Sequence, residues 1–535
     1  MLKEGFYQYK SSEKMVTSTS NSLDRPVGAV FTPKDVASFI ISRFRIFQRW
    51  IDGASICDPT AGHGVFICAL VEQAIRGGIN LSQDLIKRLF YIEKSKSFSK
   101  TFLEKFYSRY KKNFPISNIY VCDVVTNTPN FKVDFLIGNP PWINFTDLDQ
   151  EYKEQIKPFF LSSFLVRESK MLLLGSSRID MTALVIATAV DKLLYENGEA
   201  VFLVPLSLFL NDGAHDGFRR YRLSNGNSYA VREIFDFAEE KVFERSNTRF
   251  GIASFQKGTE PSYPIPYHIF DGHEWVEKLA VPYPDTFSAL TIQDNLDCVS
   301  KLKDWKRIVL RPEQKPRQGI NTCGANGTFL FDEKPEFLPV DLVYPLLSKE
   351  SFRETNSILK PSRYIFVPHD HSTGKPLDQT TLENKYPVAW DYLLRHKERL
   401  CSRRGSLISS WIKRGFWWAC LGVGPYNFTE HKVVWEAFGK SRFKPIVVSS
   451  LQGKEWQANQ ALHAYIPCRS KEDAEVVARE IRQPFVEEYL LSCRMAGTRN
   501  WAQPGRIKNL IDFNNRQNSE FLPLFSQYER IEEKI

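Results

Sequence analysis

A short apolar strand pattern, Val133-Asp134-Phe135-Leu136-Ile137-Gly138, runs directly into Asn139-Pro140-Pro141-Trp142. Two consecutive prolines fix two φ angles and remove two backbone donors, so this loop is stiff and its carbonyls are bare. It presents the amide oxygen of Asn139, the carbonyl of Pro140 and the flat face of Trp142. Two acceptors and a ring suit the grip of a planar amine, which offers hydrogens to the first and a π-face to the second.

Upstream, Ile56-Cys57-Asp58-Pro59-Thr60-Ala61-Gly62-His63-Gly64-Val65-Phe66 reads as a strand ending in an acid, a glycine-bearing loop and the start of a helix. Gly62 and Gly64 let the backbone pass close to a ligand at the carboxyl edge of a sheet. The spacing is not Gly-x-Gly-x-x-Gly, so a pyrophosphate is not the obvious ligand. Glu93 closes the next strand pattern, where a carboxylate can take both ribose hydroxyls of a nucleoside. Asp123 closes the third, either as the acceptor for an adenine amino group or as a turn-forming Asp. Taken singly, an acid at a strand end is more often a solvated loop residue. Three successive strands ending in acids, with a fourth ending in Asn-Pro-Pro-Trp, point to a cofactor held beside an amine.

The elements that must position these residues are legible in the pattern. Residues 28–257 alternate short apolar runs with helical periodicity, which predicts an α/β domain with a mostly parallel, seven-stranded sheet. The expected strands are Ser55–Asp58, Leu89–Glu93, Ile119–Asp123, Phe135–Gly138, Ala200–Pro205, Val231–Phe237 and Phe250–Gln256. Helices are expected over Val65–Arg76, closed by Gly77-Gly78, and Met181–Tyr195, followed by Asn197-Gly198. Pro261-Ser262-Tyr263-Pro264-Ile265-Pro266 reads as a linker or boundary, and beyond it the βα alternation stops. The division is therefore a polar tail over 1–27, a catalytic domain over 28–257 and a mixed α+β unit over 258–535.

At 535 residues the chain is too long for one core. No apolar run is long enough to span a bilayer, and the first residues lack the apolar stretch of a signal peptide. Nine scattered cysteines without a Cys-x-x-Cys pair indicate reduced thiols of a cytoplasmic protein, with neither a disulfide frame nor a metal site. A net charge of +9 permits a polyanionic partner without requiring one.

In motif type and order the chain resembles the γ-class DNA adenine-N6 methyltransferases of restriction-modification systems. That class has an N-terminal motif, a glycine loop, Asn-Pro-Pro-aromatic and then a C-terminal target recognition domain. Gly28-Ala29-Val30-Phe31-Thr32-Pro33 with Asp35-Val36-Ala37-Ser38-Phe39 is similar to the first of these. The resemblance implies a Rossmann-like methyltransferase domain, S-adenosyl-L-methionine as cofactor and double-stranded DNA as substrate, with the target adenine flipped out. It implies that Thr32 contacts the methionine carboxylate, Asp58 the ammonium, Glu93 the ribose hydroxyls and Asp123 the adenine of the cofactor. Asn139, Pro140 and Trp142 become the catalytic set, with Trp142 also stacking on the target base. The family's late aromatic at that base corresponds to Phe243 or Phe250. Trp142 departs from the Tyr or Phe commoner in the family, and stacking survives the change. Asp180 falls near a family motif and reads as a helix N-cap. Residues 1–27 are too few for a cleavage domain, so any restriction endonuclease is expected to be a separate protein.

The region after 257 carries the expected DNA contacts. Lys303, Lys306, Arg307, Arg311, Lys315 and Arg317 surround Trp305, and Arg395, Lys397, Arg399, Arg403 and Arg404 form a second cluster. Of these, Arg307, Arg317, Arg403 and Arg404 are the candidate DNA-binding residues. Gln318 to Asn326 is similar to the Gly/Asn-rich loop of related recognition domains, and Phe416-Trp417-Trp418 reads as core. A monomer is expected, with no membrane association. The rival readings are an RNA base-amine methyltransferase, a release-factor glutamine methyltransferase, and a silent nucleic-acid-binding module within a defence complex.

Overall fold

The computed structural model describes residues 31–166, 179–211, 213–238, 240, 242–243, 248–302, 305, 307–349, 352, 361–438, 443–494 and 502–513. Gly28 to Val30, Lys303 and Lys306 lie outside the described residues. The chain divides into two compact units, residues 1–300 and 301–535.

The first unit is built on one sheet. Its strands are β1 (Ile56–Asp58), β2 (Leu89–Ile92), β3 (Ile119–Tyr120), β4 (Val133–Gly138), β5 (Leu194–Pro205), β6 (Tyr229–Asp236), β7 (Phe250–Lys257), β8 (Ile265–Phe270), β9 (Trp275–Pro282) and β10 (Leu290–Gln293). They lie in the order β10-β9-β8-β6-β7-β5-β4-β1-β2-β3. β3, β2, β1, β4 and β5 pair in parallel, whereas β7 runs antiparallel to both β5 and β6. All seven expected strands are present, but the sheet is ten-stranded and mixed, not seven-stranded and mostly parallel. β5 also starts earlier than the pattern indicated, at Leu194, passing a register shift at which Asn197 takes a φ of 64°.

The sheet does not stop at Lys257. β8 pairs in parallel with β6 through Ile234 and Tyr267, and the Tyr267 hydroxyl donates to Asp236, 2.9 Å away. Trp275 stacks on Phe39 at 5.4 Å, and the buried Arg219 donates to the Phe287 carbonyl at 2.9 Å. Residues 258–300 therefore belong to the first unit, and the proline-rich segment is a connection between strands of one sheet.

Helices cover the sheet because their apolar residues recur at helical spacing. The Val65–Arg76 helix buries Phe66, Ile67, Leu70, Val71 and Ala74. These pack with Trp50, Tyr91, Phe102, Phe106, Phe135 and Ile137 in one apolar cluster. The Met181–Leu193 helix is buried on nearly every side and is capped by Asp180, whose carboxylate accepts from the Thr182 amide at 2.8 Å.

The second unit contains smaller antiparallel sheets. One joins Arg317–Gln318, His463–Cys468, His431–Glu436 and Ile446–Ser449 in that order, and another joins Leu330–Phe331, Arg363–Phe366 and Val343–Leu346. Helices Pro387–Arg395, Lys397–Cys401 and Ser406–Lys413 flank a core holding Trp390, Trp417 and Trp418. Among the described residues no helix is long and apolar enough to cross a membrane, and all nine cysteines are free thiols.

Candidate active site

The chain leaves β1 toward β2 and β3 on one side and returns with β4 on the other. In an open α/β sheet such a reversal opens a crevice beyond the carboxyl ends of the strands. Here that crevice is a cavity of about 1500 Å³. Thr32, Asp58, Gly62, Glu93, Asp123 and Asn139 all line it. Residues spread over more than a hundred positions of sequence are thus collected by strand order.

Asp58 is the last residue of β1 and is 2% exposed. Its carboxylate accepts from the Thr60 amide at 3.1 Å. Burial, reinforced by the nearby Glu93 charge, holds this carboxyl well above the usual range, while the Thr60 amide opposes the shift. A buried carboxylate of this kind is prepared for a cationic partner. Glu93 follows β2 and fastens the glycine loop: its oxygens accept from the Gly62 and Ser95 amides, each at 2.8 Å. Burial raises the Glu93 carboxyl as well, against those amide hydrogen bonds. Tyr91 completes the fastening by donating to the Gly62 carbonyl at 2.6 Å.

The two glycines have different duties. Gly62 has a φ of 53° and lines the cavity. Gly64 does not line it. It is buried, has a φ of 74°, and a Cβ there would meet the Phe102 ring at 2.3 Å. Gly64 is therefore required by packing against Phe102 at the helix start, a correction to its expected place beside the cofactor.

Asp123 lies beyond β3 and has partners on both oxygens. Oδ1 accepts from the Val125 amide at 2.9 Å, and Oδ2 accepts from the Tyr152 hydroxyl at 2.6 Å and pairs with Lys94 Nζ at 3.0 Å. Burial pushes this carboxyl up, but the Tyr152, Val125 and Lys94 interactions outweigh it and the net shift is downward. Neither Lys94 nor Tyr152 was singled out in the sequence. A basic residue directly after a strand-end acid was the available signal for the first, and nothing local marked the second.

The stiff loop is held by the segment around Asp180. Phe145 N donates to Ile179 O and Met181 N to Ile143 O, both at 2.8 Å, and the Thr182 hydroxyl donates to Pro141 O at 3.0 Å. Asn139 Nδ2 donates to Thr32 Oγ1 at 3.2 Å, which orients the amide and places Oδ1 as its acceptor end. Thr32 is thus a partner of Asn139. It is followed by Pro33, whose extended backbone leads into the Lys34–Arg43 helix. Pro140 and Trp142 are not among the residues lining the cavity. Trp142 is half-buried and stacks on Phe250 at 5.5 Å, with Phe243 edge-on at 5.1 Å.

Phe250 stacks on Phe237 as well, at 5.1 Å, and is 7% exposed. A ring packed in this way supports Trp142 and has little surface left for a base. In the second unit Arg403 is likewise packed. It is 7% exposed, and its guanidinium donates to the carbonyls of Leu400, Thr322, Ala419 and Trp417 at 2.6–3.1 Å. These bonds tie the Gly/Asn-rich loop to the basic helices. Arg307 and Arg404 are exposed, and half-buried Arg317 lies 4.2 Å over the Tyr426 ring.

Residues 71–243 match the model of the Eco57I restriction-modification methylase family. Over 234 residues the chain is 24% identical to the type II methyltransferases M.HincII and M.HindII of Haemophilus influenzae. That stretch is 43% of this chain, and 38% and 36% of those relatives, so the chain spans well under half of their length. In fold it is similar to the type IIL restriction-modification enzyme MmeI solved in complex with DNA, with a TM-score of 0.50 at 13% identity, covering 81% of this chain and 60% of that one. With strand-end acids and Asn-Pro-Pro-Trp gathered at one sheet edge, the matched segment makes this chain similar to the S-adenosyl-L-methionine-dependent methyltransferases of restriction-modification systems.

Proposed function

We propose that the chain is a site-specific DNA methyltransferase that transfers a methyl group from S-adenosyl-L-methionine to N6 of a flipped-out adenine in duplex DNA, as the modification enzyme of a restriction-modification or phage-defence system. The observation that carries this reading is Asn139, oriented by Thr32 at 3.2 Å, on the same cavity wall as Asp58, Glu93 and Asp123. The cofactor fits the donor set. Its ammonium, ribose hydroxyls and adenine amine are all hydrogen-bond donors, and the three carboxylates are acceptors with several lone pairs each.

Bound S-adenosyl-L-methionine supplies an electrophilic methyl on sulfur. Asn139 Oδ1 and the Pro140 carbonyl take hydrogen bonds from adenine N6, draw the nitrogen toward tetrahedral geometry and localise its lone pair. No prior deprotonation is needed, because positioning and electrostatics supply the acceleration. Leaving the duplex costs the base a few kcal/mol, roughly what stacking on one aromatic ring returns. Trp142, backed by Phe250 and braced by Phe243, offers that ring. The unit over 301–535 serves as the target recognition domain, with exposed Arg307 and Arg404 toward phosphates.

Expression of the chain followed by modification-sensitive sequencing of host DNA tests the reading. N6-methyladenine within a consensus motif is the expected result, and methylated RNA with unmodified DNA overturns it. Asn139→Ala is expected to abolish transfer while cofactor binding, measured by calorimetry, persists.

A further inference from the structure

The cavity wall beyond Glu93 carries a side-chain cluster that the catalytic reading leaves unused. The segment after Asn-Pro-Pro-Trp turns back through Asp147, Leu148 and Asp149, all of which line the cavity. Asp149 caps the Gln150–Ser162 helix by accepting from the Tyr152 amide at 2.9 Å. That cap fixes the first helical turn and directs the Tyr152 hydroxyl onto Asp123 at 2.6 Å. Lys94 lies 3.7 Å from the Tyr152 ring centroid and 3.0 Å from the same carboxylate oxygen. A cation over an aromatic face is attracted to it, so the three groups hold one another.

We propose that Tyr152 and Lys94 are positioning residues for the cofactor, joining the segment downstream of the catalytic loop to Asp123 and closing the adenine end of the pocket. This rests on the S-adenosyl-L-methionine reading of the cavity. Loop and pocket are also joined through Asn139 and Thr32. With both joins made, the chain from Asn139 to Tyr152, much of which lines the cavity, is anchored at each end. Asp123 is also kept ionised by these partners, which preserves it as an acceptor for an exocyclic amine. A carboxylate has about four acceptor positions; Tyr152 and Lys94 take those of Oδ2 and the Val125 amide one of Oδ1, which leaves one position on Oδ1 for the amine.

The test measures S-adenosyl-L-methionine binding by calorimetry and transfer by steady-state kinetics, using the full chain. Tyr152→Phe keeps the ring and removes only the hydroxyl. Freeing the Asp123 carboxylate from the hydroxyl that orients it is expected to raise the cofactor Kd and KM about tenfold, with kcat within about twofold and a melting temperature lowered by only a few degrees, as the loss of one hydrogen bond requires. In an Asp123→Asn background the same substitution is expected to have little further effect, because Tyr152 acts through Asp123. Tenfold weakening by Tyr152→Phe that persists in the Asp123→Asn background overturns the proposal, as does an unchanged Kd in the single variant. Failure of the unsubstituted chain to bind S-adenosyl-L-methionine refutes the cofactor reading instead, so the two failures are distinguishable.

Discussion

Asp180 joins the stability of the first unit to the Asn-Pro-Pro-Trp loop, and its charge makes that link measurable. The carboxylate is 7% exposed and caps the Met181–Leu193 helix at 2.8 Å. Burial raises its pKa from the ordinary 3.8 to about 6, against the opposing hydrogen bonds from Thr182 and Ile143. The folded state therefore binds a proton that the unfolded chain releases between about pH 4 and 6. Because the folded pKa is raised, the stabilising contribution is complete below the unfolded pKa and is lost as pH rises through 6. A shift of roughly two units corresponds to about 3 kcal/mol over that window. Asp180→Asn keeps a good N-cap but cannot ionise. Relative to the unsubstituted chain, it is expected to gain up to about 3 kcal/mol as pH rises from 4 to 7.5. Urea unfolding of both proteins at several pH values, followed by tryptophan fluorescence, measures the difference. A difference that is flat with pH would refute the assignment of a raised pKa to a buried, capping Asp180.

Four further outcomes are expected. Arg403→Ala removes the guanidinium from four buried carbonyls, of which Thr322 keeps the Ala325 amide, and is expected to destabilise by about 3–5 kcal/mol. Arg404→Ala is expected to change stability by no more than about 0.5 kcal/mol while lowering the salt dependence of DNA binding by about one counterion, read from Kd against salt concentration. Gly64→Ala forces a positive φ on a residue with a Cβ that overlaps Phe102, and a loss of about 2–4 kcal/mol is expected in a denaturant melt. Cofactor binding is expected to release protons, since Asp58 and Glu93 are raised by burial and an ammonium favours the ionised form; calorimetry in buffers of different ionisation enthalpy detects it.

The local sequence determined the chemistry-bearing residues and most strands, because both depend on short-range facts. A strand of the first sheet is a run of apolar residues, and the stiffness of Asn139-Pro140-Pro141-Trp142 is written in its two prolines. Asp180 was legible as an N-cap for the same reason: capping is settled within three residues. The roles that needed tertiary structure are those set by neighbours distant in sequence. Gly64 resembles a ligand-loop glycine until Phe102 is seen against it. Phe250 and Arg403 have the types expected at a base pocket and a phosphate contact, yet packing commits one to Phe237 and Trp142 and the other to four carbonyls. The boundary at 300 rather than 257 follows from β8 pairing with β6, a hydrogen-bonding choice that composition does not encode. Tyr152 is the sharpest case, since only the return of the chain over the cavity brings its hydroxyl to Asp123. Residue type sets what a side chain can do, and the partners that folding brings within reach decide which of those things it does.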